Sequence, residues 1–221
     1  MRYDAVLLDN DGVLTAMTDR TVMRRAVTAA FQDLGVLGPA PADVDRLVFG
    51  VRPADLLAVA NRYGVSPGTL WYRRDLRSSL VQEREIRAGR KPLYDDVVAL
   101  EAIDLPMGIV SSNQQRTVGT ILEAYELTER FQSVYGREMH PRSLDRKKPD
   151  PYYLELAIEE LGANHPLFVG DSPTDVAAAR AAGVDSVFLR RAHRRETELE
   201  VPPTYEIESL EDLPAIVSVS A

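Results

Sequence analysis

Apolar positions along this chain change their period at two places. Tyr3 to Leu8 is a short, continuous apolar run that reads as a buried strand. From Val22 to Leu34 the period becomes helical: Met23, Ala26, Val27, Ala30, Phe31 and Leu34 share a face, and Gly35 is a stop. "GPAPAD" breaks the chain at Gly38–Asp43. "RPADLLAVANRYG" and "PGTLWYRRDLRSSLVQEREIRAG" then carry the helical pattern to Gly89 without a convincing strand, and Trp71 and Tyr72 are expected to pack within this region. After Pro92 the elements alternate. "DDVVALEAI" reads as a helix, "PMGIVSS" as a strand, "QQRTVGTILEAYEL" as a helix and "FQSVYG" as a strand. Helix "DPYYLELAIEELG", strand "PLFVGD", helix "TDVAAARAAG", strands "SVFLR" and "TYEI" and helix "SLEDLPAIVSV" complete the chain. Such alternation predicts an α/β fold, a Rossmann-like parallel sheet with helices on both faces. The sheet domain is read as residues 1–15 and 92–221, with an all-helical insert over 16–91 after the first strand.

Composition narrows the partners. The 221 residues carry a formal net charge of −8. That argues against nucleic acid, whose phosphates call for clustered Lys and Arg. No cysteine occurs, which removes disulfides, thiolate metal sites and a cysteine nucleophile together. His140, His165 and His193 lack metal-ligand spacing, so a histidine-based zinc site is not expected. The apolar run at the start is too short for a signal peptide and no later stretch has the length of a membrane span, so a cytoplasmic protein without a membrane partner is expected. The charged stretch "RRAHRRETELEVPP" reads as a solvated loop.

Candidate chemistry sits at the carboxyl ends of the predicted strands, where parallel α/β sheets gather functional residues. Asp9 and Asp11 follow the first strand, two residues apart and therefore on one side of an extended chain. Ser111, Ser112 and Asn113 follow "MGIV", Lys148 lies in "KKPDP", and Asp171 and Asp175 lie in "GDSPTD". Asp175 doubles as a candidate helix cap. Four carboxylates in one crevice repel unless a cation compensates, and an all-oxygen donor set points to Mg²⁺. Ser111 and Asn113 before a helix, with Lys148, suit a phosphate. These are parts for phosphoryl transfer to or from a small phosphate ester.

The four motifs, in this order and with a large insert between the first two, resemble the haloacid dehalogenase superfamily, in its branch of small phosphatases with a helical cap similar to phosphoglycolate phosphatases. The resemblance implies Asp9 as the nucleophile that forms an aspartyl-phosphate and Asp11 as the general acid and base. It implies Mg²⁺ held by Asp9, the Asp11 backbone carbonyl and Asp171, with Asp175 nearby, and phosphoryl oxygens held by Ser111 and Lys148. The insert is expected to discriminate substrates by closing over the crevice. Its arginines favour a substrate with a second anion, and Arg52, in a Gly-Val-Arg-Pro turn, is the candidate partner.

Two positions depart from the family pattern. Asn10 stands between the aspartates where an apolar residue is usual, and Thr15–Ala16 follows "DGVL" where many members of the branch carry an Asp. Asp11 argues against dehalogenation, which needs neither a proton-shuttling second Asp nor magnesium. The lack of any lysine between residues 16 and 90 argues against a cap-lysine Schiff base of the phosphonoacetaldehyde hydrolase kind. A sugar phosphomutase of the beta-phosphoglucomutase type and a non-catalytic binding module on the same fold remain as alternatives.

Overall fold

The computed structural model describes residues 2–218. In chain order, β1 (Ala5–Leu8) is followed by four helices: α1 (Arg20–Asp33), α2 (Pro41–Arg46), α3 (Pro53–Tyr63) and α4 (Pro67–Arg87). Then come β2 (Met107–Gln114), α5 (Gln115–Ala124), β3 (Ser133–Arg137), α6 (Ser143–Arg146) and α7 (Tyr152–Leu161). The chain closes with β4 (Pro166–Gly170), α8 (Pro173–Ala182), β5 (Asp185–Leu189), β6 (Tyr205–Ile207) and α9 (Leu213–Ser218). It divides into two compact units. Met1–Met17, Pro92–Gly136 and Lys147–Ala221 form one, and Thr18–Lys91 with Arg137–Arg146 forms the other.

The first unit is a six-stranded sheet of order β3-β2-β1-β4-β5-β6. β1 runs parallel to β2 and β4, and β5 runs parallel to β4 and β6. Strand alternation sends Val6 and Leu8 to one apolar layer, with Ile109, Val169 and Leu213, and Leu7 to the other, with Phe168, Leu154 and Ala178. A strand covered on both faces is apolar at every position, which is why the first segment reads as a continuous run. Leu8 is level with Ile109 and Val169, so Asp9 emerges beside Val110 of β2 and Gly170 of β4. Ser111, Ser112 and Asn113 lie within β2, which runs on to Gln114, instead of after it.

Two expected helices differ in winding. Residues Asp95–Ala102 form a 3-10 helix, not an α-helix. Its apolar anchors, Val97, Leu100 and Ile103, recur every third residue and are all buried, which suits a winding of three residues per turn. The helix expected over 209–219 divides into a 3-10 turn, Leu210–Asp212, and α9. Pro214, which has no N–H to donate, restarts the winding there. Val219 lies outside the described residues.

The second unit is helical throughout its regular elements. Asp19 caps α1 through the N–H groups of Thr21 and Val22, and prolines open α2, α3 and α4. Met23, Val27, Phe31, Val44, Leu56 and Trp71 share its core. Tyr72 is exposed instead of packed, because one step along a helix turns a side chain about 100° off the buried stripe. Buried Asp75 accepts two hydrogen bonds from Arg137, at 2.7 and 2.9 Å, and one from Arg74 at 2.8 Å. Burial alone would lift its pKa, but Arg137 and then Arg74 hold it below the ordinary carboxylate value. No helix among the described residues is long and apolar enough to cross a membrane.

Candidate active site

Asp9 is the first residue beyond β1, and its N–H donates to the carbonyl of Val169 at 2.9 Å. The carbonyl of Asn10 then accepts from the N–H groups of Val13, Leu14 and Thr15, at 3.3, 2.9 and 3.0 Å, which curls the chain into a tight turn. Within it Gly12 takes a φ of +87°, and a β-carbon there would stand 2.4–2.7 Å from the carboxylate of Asp171. Glycine is required on both counts. Asn10 and Thr15 are buried together, and Asn10 Nδ2 donates to Thr15 Oγ1 at 3.4 Å.

Lys148 is buried where these segments meet. Its Nζ donates to the carbonyl of Val110 at 3.0 Å and stands 2.9 Å from Asp9 Oδ1 and 2.7 Å from Asp175 Oδ1. Asp9 Oδ1 also accepts the N–H of Asn10 at 2.7 Å. Burial pushes the Asp9 carboxyl up to about 7; Lys148 opposes this, and Asp175 and Asp171 add to it. Burial likewise works against the Lys148 charge, but Asp175 and Asp9 outweigh it and hold its pKa above the ordinary lysine value. Asp171 is raised first by burial and next by Asp175. Lys148 thus pairs with two of the three buried carboxylates, Asp9 and Asp175.

Asp9, Asp171 and Asp175 each offer an oxygen within 4.8 Å of the others. Asp175 Oδ2 accepts the N–H of Ser172 at 2.9 Å in a capping box, so Ser172 is the helix cap and Asp175 its reciprocal partner. Asp175 Oδ1 faces Lys148 in a buried ion pair. Three buried carboxylates with oxygens in range of one another, and no nitrogen or sulfur donor among them, are the donor set a hard divalent cation such as Mg²⁺ fits. Asp11 is half-buried, and its Oδ2 accepts from Asn113 Nδ2 at 2.8 Å. Ser111 is buried beside Val110, its Oγ accepting the N–H of Asn113 at 3.2 Å, while Ser112 is half-buried. Arg52 lies in the helical unit as N-cap of α3, its side chain 76% exposed and 2.7 Å from Asp55.

The stretch expected to be a solvated loop is one only in part: Arg195, Glu196, Glu198 and Glu200 are exposed, but its first residues turn inward. Arg191 is buried and bonds the turn after Asp9, and His193 and Arg194 reach Asp171. Buried Asp171 and half-buried Asp96 draw the Arg194 and Arg191 guanidinium groups inward. The available signal was a cluster of arginines directly after a core strand.

The geometry defines a class first: an open parallel α/β sheet whose polar groups collect at the carboxyl ends of its central strands. The model of the haloacid dehalogenase-like hydrolases matches residues 3–183, and the chain belongs to that family. It is similar to the phosphoglycolate phosphatase of Escherichia coli (strain K12), 35% identical over 122 residues, which cover 54% of this chain and 47% of that one. The chain thus spans about half the length of the curated relatives it matches. Its fold is similar to CbbY from Rhodobacter sphaeroides in complex with phosphate, with TM-score 0.69, 17% identity and 96% of each chain covered. It is also similar to the hydrolase YfnB of Bacillus subtilis bound to magnesium, with TM-score 0.60, 19% identity, and 99% of this chain and 100% of that one covered.

Proposed function

We propose that the protein is a Mg²⁺-dependent phosphatase that cleaves a small phosphomonoester through an aspartyl-phosphate on Asp9, with a phosphoglycolate-like substrate favoured. The carrying observation is Lys148 joined to Asp9 inside a cluster whose three carboxylates lie in range of one cation. Similarity to phosphoglycolate phosphatases supports the substrate class. The same fold receives phosphate in CbbY and magnesium in YfnB.

Asp9, Asp171 and Asp175, with the Asp11 backbone carbonyl, would hold Mg²⁺. When bound, it supplies the positive charge that offsets the acids and the phosphoryl oxygens. Lys148 and the Ser111 hydroxyl hold the transferring phosphoryl group. Asn10 and Lys148 tie down Asp9 Oδ1, and Oδ2 attacks phosphorus as the ester P–O bond breaks. Asp11, oriented by Asn113, gives its proton to the departing alkoxide. As a carboxylate it then takes a proton from water, whose oxygen attacks the phosphorus and releases inorganic phosphate and free Asp9.

Phosphate release from phosphoglycolate and from an aryl phosphate tests this. Turnover is expected to require Mg²⁺, to vanish in Asp9→Asn, and to fall about 10²- to 10⁴-fold in Asp11→Asn. Full activity in excess EDTA refutes the metal's part, and a nearly wild-type Asp9→Asn refutes the nucleophile.

A further inference from the structure

The arginine-rich turn after β5 has no part in the chemistry above, yet it reaches into the site. Arg191 is its root. Its Nη2 and Nε donate to the carbonyls of Val13 and Gly12 at 2.8 and 3.3 Å. Its Nη1 and Nη2 also meet Asp96 at 2.6 and 2.9 Å, and the guanidinium stacks 3.9 Å from the Tyr94 ring centre. From that root one 3-10 turn, Ala192–Arg194, carries two side chains over Asp171. His193 Nε2 lies 2.7 Å and Arg194 Nε 3.0 Å from the same oxygen, Asp171 Oδ2. The Asp171 side chain is 2% exposed, whereas Arg194 is 29% exposed. The root is fixed and the tip opens to water.

We propose that Arg194 is a built-in counter-cation for Asp171 that competes with the divalent metal, so that the turn after β5 sets the metal affinity of the site. This rests on the reading of Asp9, Asp171 and Asp175 as metal ligands. A third buried carboxylate beside a single lysine needs a compensating charge, and Arg194 supplies it. A dication held by the same carboxylate stands close to the guanidinium, and like charges at short range in a buried setting repel. Asp171 is buried and packed close to Gly12. Arg194 is partly solvated and is the partner that can swing away. Arg194 therefore stabilises the protein without metal and weakens metal binding.

The test is calorimetric titration of Mg²⁺ into EDTA-stripped, dialysed full-length protein at pH 8, with thermal melts in EDTA and in saturating Mg²⁺. Arg194→Gln keeps a polar side chain and removes the charge. It is expected to tighten Mg²⁺ about 10- to 100-fold, the order of the relief when a positive charge a few ångströms from a dication is removed at a partly screened site. It is also expected to melt lower than wild type in EDTA and to gain more from Mg²⁺. Arg194→Lys keeps the charge and stays near wild type. Arg195→Gln, an exposed neighbour, changes affinity less than about twofold, the scale of a screened surface charge. Unchanged or weaker Mg²⁺ binding in Arg194→Gln overturns the proposal, as does equal tightening in Arg195→Gln, and either result leaves the metal-site reading standing. No Mg²⁺ binding by any of the proteins removes the metal-site reading and the competition together.

Discussion

Replacing Gly12 by alanine perturbs the closest approach in the site. At a φ of +87°, an L-residue is strained by about 1–2 kcal/mol. The new β-carbon would also stand 2.4–2.7 Å from three atoms of Asp171. Overpacking of that kind costs about 1–3 kcal/mol. The carboxylate cannot slide away, because it is buried and its Oδ2 is held by His193 and Arg194. The two costs add to about 2–5 kcal/mol, or about 4–20 °C in Tm for a chain of this size. Gly183→Ala separates them: its φ is +71°, but no atom lies within 4 Å of the added carbon. That control is expected to lose only the strain, about 1–2 kcal/mol, and to keep its activity. A metal ligand displaced by about 1 Å costs on the order of 10²-fold in rate, so Gly12→Ala should also lose Mg²⁺-dependent phosphate release. Thermal melts and phosphate release on both variants provide the comparison. Equal melting losses with full activity in Gly12→Ala refute the argument.

Two further outcomes follow from the helical unit. Asp75→Asn leaves Arg74 and Arg137 facing no buried anion and should cost about 3–5 kcal/mol. Because the folded pKa of Asp75 lies below its unfolded value, its contribution is complete above about pH 4 and is lost as the pH falls through the folded value. Urea denaturation should therefore show wild type and Asp75→Asn converging in acid, and a gap that stays constant down to pH 2.5 contradicts the ion-pair account. If Arg52 reads a second substrate anion, Arg52→Ala should lower kcat/KM for a carboxylate-bearing phosphate ester by about 10- to 150-fold while sparing an aryl phosphate. Equal losses on both substrates assign Arg52 to structure alone, through Asp55.

Most of the candidate site was legible because each piece is local. An apolar run ending in Asp-Asn-Asp-Gly, the Ser-Ser-Asn after a second run, and the Gly-Asp-Ser-Pro-Thr-Asp after a third are patterns within a few residues. Parallel α/β topology then brings such strand ends together whatever lies between them. The winding of residues 95–102 was less legible, since periods of 3.0 and 3.6 differ little over two turns.

Other features were decided only by tertiary structure. Arg191 meets Asp96 across 95 positions, Arg194 meets Asp171 across 23, and Arg137 meets Asp75 across 62. In sequence the arginines after β5 look like a solvated charge run, because nothing local marks a cation that will be drawn inward. What draws it is a buried carboxylate far along the chain, whose cost in a low-dielectric interior is relieved by whichever cation the fold brings within about 3 Å. Hydrophobic period records which face of an element is buried. The pairing of buried charges depends on where distant segments come to rest, and only the folded chain determines that.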